Sequence, residues 1–149
     1  MSMNMSRRER EAFLRGVHVG VLSVARAGRP PLTAPVWYDY APELGLWLIT
    51  GGGSRKGKAL AAAREFSLCA QNEQAPYSYV TVEGPVISIE PADDEAHRRP
   101  MAHRYLGTVR GDQYIESGGP SDNVLVRMRP ERWLSLDYAK QFPPETFAR

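Results

Sequence analysis

The sequence predicts a mainly β domain, an antiparallel barrel of six or seven strands with short helices set into it. Three observations carry this. Short apolar or β-branched runs recur along the whole chain, most of them joined by tight turns rather than by crossover helices. One run, YSYVTVEGPVISIE, moves its apolar phase from even positions (Val80, Val82) to odd ones (Ile87, Ile89) across Gly84-Pro85, the mark of a bulge or barrel corner. No repeat, linker or low-complexity tract divides the 149 residues, which fits a single domain over 1–149.

SRREREAFLRG opens with Ser6 and Glu9 at capping-box spacing and closes at Gly16, so a short helix is expected there. VHVGVLSVA is apolar at both parities and reads as a first strand covered on both faces. After the turn RAGRPP, LTAPVWYDY is the second strand. Leu32, Ala34, Val36, Tyr38 and Tyr40 share one of its faces, and Pro35 marks it as an edge or bulged strand. LWLIT is the third strand, and residues 54–65 form a helix capped by Ser54. FSLCAQN and YSYVTVEGPVISIE are the fourth and fifth. Residues 91–105 are helical in composition with an interruption at Pro100, and GTVRGDQYIESGGPSDN is a loop with room for one helical turn. VLVRMRP and RWLSLDY complete the sheet.

Nineteen Lys and Arg against seventeen Asp and Glu give a formal charge of +2, too little for a nucleic-acid backbone binder. A lone cysteine, Cys69, excludes an internal disulfide and fits a reducing compartment. With no apolar signal core at the polar amino terminus and no run of membrane-spanning length, cytoplasm is the expectation and no membrane partner is implied.

The chemistry concentrates in GGGSRKGK, residues 51–58. The nucleotide-triphosphatase loop requires a Ser or Thr for magnesium after its Lys, and position 59 is Ala. A dinucleotide fingerprint requires Gly where Lys56 stands. What remains is a simpler device. Glycines let backbone approach an anion, a helix starting at Ser54 points free N–H groups and its positive dipole end there, and Arg55 and Lys56 add charge while the Ser54 hydroxyl donates. A capped helix with solvated cations is the plain alternative.

LITGGGSRKGKAL…FSLCAQN…YSYVTVEG, with the GRPPLTAPVWYDY hairpin before it, resembles the flavin-binding split barrels of the pyridoxamine 5′-phosphate oxidase superfamily over roughly residues 10–138. The resemblance implies a split β-barrel that works as a homodimer. In it Ser54, Arg55 and Lys56 hold the cofactor phosphate, with Lys58 reaching further along a cofactor tail. Ile49, Thr50 and the second strand through Pro35, Val36 and Trp37 line the ring, and Tyr79 passes the ring of a neighbouring subunit. Two departures argue against pyridoxamine phosphate as substrate. Ala34 and Asp39 stand where the true oxidase is basic, and LDYAKQFPPETFAR lacks its Trp and Arg contacts. PVWYDY…SRK…YVTVEG…RYLG…RWLSLDYAK is more similar to the branch that uses the deazaflavin F420, although Ala59 replaces the usual Asn. FMN is the alternative cofactor.

The activity implied is hydride transfer from reduced F420 to a small unsaturated organic substrate, in which the organic step belongs to the cofactor and no catalytic motif is required. Trp37, Tyr38, Tyr77 and Tyr79 are candidate flat walls, with Tyr38 or a water as proton donor; core or interface packing is the competing account of each. A carrier, sensor or stress protein that holds a flavin without turnover is the second functional class. His97 and His103 match no common zinc spacing and read as solvated, His18 as packed or at an interface, and Cys69 as a buried inert thiol.

Overall fold

The computed structural model describes residues 2–119 and 121–142. The end of the carboxy-terminal segment lies outside the described residues.

Helix α1 (Arg7–Arg15) carries the full capping box: Ser6 Oγ accepts from Glu9 N–H, the Glu9 carboxylate accepts from Ser6 N–H, and Gly16 ends the helix. Eight strands follow: β1 (Gly20–Arg26), β2 (Arg29–Val36), β3 (Asp39–Ala41), β4 (Gly45–Gly51), β5 (Glu65–Asn72), β6 (Ser78–Pro91), β7 (Asn123–Met128) and β8 (Arg132–Asp137). Helix α2 (Arg55–Ala63) lies between β4 and β5; a π-helical turn (Asp94–Arg98) and α3 (Arg99–Glu116) lie between β6 and β7. No helix among the described residues is long and apolar enough to cross a membrane.

All pairings are antiparallel, in the order β2-β1-β5-β6-β7-β4-β3, and β8 also pairs with β6. The ends of this order, β2 and β3, form no ladder with each other among the described residues, so the barrel is open. The expected antiparallel split barrel is present. Its count exceeds seven because the second predicted strand is two, β2 and β3, parted at Trp37-Tyr38.

That break has a cause in α3. Tyr38 N–H donates to the Tyr105 hydroxyl (3.0 Å), Tyr38 O accepts from Arg104 Nε (3.1 Å), and Arg104 Nη1 lies 3.3 Å from Asp39 Oδ1. An N–H given to a side chain cannot also donate to a ladder, and a carbonyl that accepts from two side chains has no lone pair left for one.

The bend of β6 is real but sits beyond Gly84-Pro85. Val80, Val82 and Val86 are all buried, and the register slips between Val86 and Ser88, which turns Ile87 out to solvent. Gly84 does another job: a Cβ there would lie 1.9 Å from Arg129 O, where the β7–β8 connection crosses β6. Residues 78–83 of β6 pair with β8 and its later residues with β7, so this strand serves both halves of the sheet.

One core fills the barrel, with Leu14, Leu22, Val24, Tyr38, Leu46, Leu48, Leu60, Leu68, Val80, Val82, Val126 and Met128 in it. Each buried aliphatic side chain contributes about 1.5–3 kcal/mol. β1 departs from expectation, because Gly20, Leu22 and Val24 are buried while Val19 and Val21 face outward. Cys69 also lies on that outward face, half-buried, and not in the core.

The segment expected to be a loop is largely helical. α3 runs to Glu116 in two halves that bend at Gly107 (φ 81°, ψ 175°), and Pro100 opens it instead of interrupting it. Arg99 and His103 from the first half share the Asp112 carboxylate of the second, at 2.7 and 2.6 Å. His97 is half-buried and Nδ1 accepts Asp93 N–H (2.9 Å), so neither histidine is merely solvated.

Candidate functional site

β4 delivers the chain to Gly51, and the next six residues form a self-supporting turn. Ser54 N–H donates to Gly51 O (3.1 Å), Ser54 Oγ donates to the same carbonyl (2.6 Å) and accepts from Gly57 N–H (3.1 Å). Buried Thr50 places Oγ1 3.3 Å from Ser54 Oγ. The Ser54 hydroxyl is thus spent on the helix cap and does not donate outward, contrary to the expectation. Gly57 is buried, and a Cβ on it would lie 2.2 Å from Gly51 O, so α2 seats directly on the turn's backbone.

At the α2 start the N–H groups of Arg55 and Lys56 take no partner among the described residues, since Gly57 N–H is capped and Lys58 N–H begins the helical ladder. Among the described residues, none of Arg55, Lys56 and Lys58 forms an ion pair. Two free donors, the positive end of the helix dipole and three nearby cations are an arrangement able to receive an anion. The glycines play a different part from the one expected. Gly53 N–H donates to Asp122 Oδ2 (2.8 Å) and Gly52 N–H to Asp122 O (2.9 Å), so the chain's own residue occupies the glycine turn.

Beside this turn, α2 and the β1–β2 hairpin enclose a cleft of about 740 Å³. Arg26, Arg29, Arg55 and Lys58 line it against one carboxylate, Glu65, over a floor that includes Leu32, Ala59 and Ala62.

The aromatic part of the site lies around Trp37. Its ring stacks on Tyr105 (5.0 Å between centroids, 5° between planes) and meets Tyr114 at 5.5 Å. Trp37 and Ile49 line a cavity of about 100 Å³ with Arg98, Met101, Tyr114 and Asn123. The Tyr105 hydroxyl lies 2.6 Å from His18 O, and Arg104 Nη2 donates to Arg15 O (2.9 Å) and Gly16 O (2.8 Å), which docks α3 on the end of α1.

The structure brings Thr50, Ser54, Arg55 and Lys56 together, Lys58 into the adjoining cleft, and Ile49 with Trp37. Others separate from them. Val36 buries its side chain in the core, leaving only its backbone for a ligand, and Pro35 is exposed on the edge strand opposite Val21. Tyr38 is a core residue: it is fully buried, its hydroxyl donates to Leu14 O (2.8 Å), and burial pushes its pKa far up. It is therefore no proton donor to a bound molecule. Tyr79 lies on the outward face, opposite the core that holds Leu60 of α2, and Tyr77 is exposed. His18 stacks on Phe13 and bonds Phe13 O through Nε2 (3.0 Å); burial lowers its pKa.

Sequence reasoning missed Asp122, Arg26, Arg29 and the α3 contributors Arg98, Met101, Tyr105 and Tyr114. Tyr114 and Ile115 flank a helical repeat with Gly111, a faint signal beneath the loop-like glycines.

A sequence profile described as pyridoxamine 5′-phosphate oxidase matches residues 6–137. No curated protein sequence matches the chain. Among solved structures, a conserved hypothetical protein of Mycobacterium tuberculosis is similar at TM-score 0.76 and 22% identity, over 96% of this chain and 91% of that one. An F420 reductase is similar at TM-score 0.59 and 19% identity, over 83% and 94%. An FAD-binding protein of Mesorhizobium loti is similar at TM-score 0.61 and 22% identity, over 89% and 94%. At these identities the shared property is the fold.

Proposed function

The chain belongs to the pyridoxamine 5′-phosphate oxidase family, and from that premise we propose that it is an oxidoreductase holding a flavin-type cofactor by its phosphate at the start of α2. The observation that carries this is the pair of N–H groups on Arg55 and Lys56, free among the described residues, beside three cations that form no ion pair among them. Such a cofactor supplies the hydride chemistry when bound, and the chain's part is to bind, orient and exclude water. Arg55 and Lys56 grip the phosphate. Ile49 and Trp37 meet the ring, and Tyr114 and Met101 wall off a small unsaturated substrate. With the Tyr38 hydroxyl buried, a water provides the proton.

F420 is the cofactor we favour over FMN. FMN ends at one phosphate, whereas the deazaflavin continues into an acidic tail, and a cleft with four cations and one carboxylate adjoins the phosphate site. The likeness to an FAD-binding protein keeps a flavin, with or without turnover, as the second reading.

The reading includes a homodimer. The outward sheet face carries an apolar row through Pro35, Val21, Cys69, Thr81 and Leu134, in register across five strands, with Leu134 59% exposed. A second copy on that face brings Tyr79 to the other chain's ring. A cavity of about 100 Å³ is also smaller than the ~300–1,000 Å³ of usual ligand pockets, as expected of a site that one chain only half encloses.

Equilibrium binding of FMN and F420 to the purified protein tests the assignment. Lys56→Ala is expected to weaken either by about 1.5–3 kcal/mol, the worth of a charge-assisted hydrogen bond. Unchanged affinity for both would remove the phosphate site.

A further inference from the structure

We propose that Asp122 is a positioning residue that occupies the glycine turn and thereby fixes the presentation of the α2 N–H groups; the presenting role rests on the phosphate reading above. Three successive glycines are a costly way to make a turn, since each loses more backbone entropy than any other residue. Asp122 is the nearest neighbour of all three. A Cβ on Gly51 would lie 3.3 Å from Asp122 Oδ1, one on Gly52 3.2 Å from Asp122 O, and one on Gly53 3.0 Å from Asp122 Oδ2. A side chain anywhere along Gly51–Gly53 would push this residue by a few tenths of an ångström, so the glycines let Asp122 sit close.

The contacts are also directional. Gly52 and Gly53 give their N–H groups to one residue, and Gly51 pairs with the next, Asn123, in the β4–β7 ladder. The turn is thereby tied to β7 immediately before Ser54 starts α2. Asp122 is exposed and forms no ion pair with the neighbouring cations among the described residues, which leaves Arg55 and Lys56 free. Asn123, the next residue in the chain, lines the cavity beside Trp37.

Two variants separate holding from charge. Asp122→Ala removes the acceptor, whereas Asp122→Asn keeps an amide oxygen for Gly53 N–H and removes the negative charge near the anion. In the ligand-free protein, amide exchange at Gly53 is expected to speed up about tenfold in the Ala variant, the worth of one lost hydrogen bond, and to stay near wild type in the Asn variant. FMN affinity is expected to fall about tenfold in the Ala variant and to return to wild type or better in the Asn variant. If the Ala variant binds FMN as well as or better than wild type, the proposal is overturned, because Asp122 is then a bystander or a competitor for the anion. Unaccelerated exchange at Gly53 in that variant overturns it at the loop itself. If exchange responds as expected while neither FMN nor F420 binds wild type, the phosphate reading fails and takes the presenting role with it.

Discussion

From Gly51 to Gly57 the chain turns from β4 into α2, held by bonds among these residues and by the start of β7. Ser54 caps and ties the turn, Gly57 packs on it, and the distant residues involved, Asp122 and Asn123, are consecutive. From Trp37 to Asp39 irregular backbone is held from far away, by Arg104 and Tyr105, which bond carbonyls and amides 66 to 89 residues distant along the chain. The first region is stiff because space within it is already filled. The second is stiff only while α3 stays docked. The start of α2 is therefore built as a fixed part of the barrel, and the aromatic cluster as a part attached to it.

The sharpest way to break this contrast is Gly57→Ala. Its new Cβ meets backbone at 2.2 Å, which α2 can relieve only by lifting off the turn. Loss of about 3 kcal/mol or more in urea unfolding is expected, with loss of cofactor binding. A variant of wild-type stability would show that the turn yields.

Next comes Arg104→Ala. Arg104 donates to three carbonyls at the junction of α1 and Trp37-Tyr38, so a loss of about 2–3 kcal/mol is expected, with altered Trp37 fluorescence. Amide exchange at the α2 turn should stay as in wild type. Acceleration there would mean that the two regions are one cooperative unit.

The smallest effect concerns His18, which packs between α1 and the start of β1. Burial lowers its pKa below 6.5, so the unfolded chain takes up the proton first and the folded state favours neutral imidazole. Its contribution is complete above pH 6.5 and declines as pH falls below that value. Melting temperatures from about pH 7 to about pH 5.5 should decline less steeply in His18→Gln than in wild type. Parallel profiles would remove this residue from the pH response.

The same contrast explains what could be read in advance. Ser54, Arg55 and Lys56 are consecutive, and the Ser6–Glu9 capping box spans one helical turn, so local sequence specifies both. The parting of β2 from β3 is invisible in LTAPVWYDY because its cause is Arg104 and Tyr105. α3 was masked by its glycines. Gly111 is required by packing, since a Cβ there would meet His103 Cδ2 at 2.6 Å across the bend, and propensity alone reads such a residue as a loop. The two-sided apolar pattern of β1 was genuine, but one chain covers only one of its faces. Asp122 left no trace in GGGSRKGK because it reaches the glycines from 69 positions away.

The double membership of β6 also limits how this chain can change in length. Its 14 residues keep two half-sheets in step, and the single register slip at Ile87 sets which side chains point inward beyond it. Gaining or losing one residue in β6 would invert every later position of that strand, whereas the tips at Ala27-Gly28 and Pro42–Leu44 carry no such phase. Insertions and deletions among relatives should accordingly collect at those tips and spare this strand.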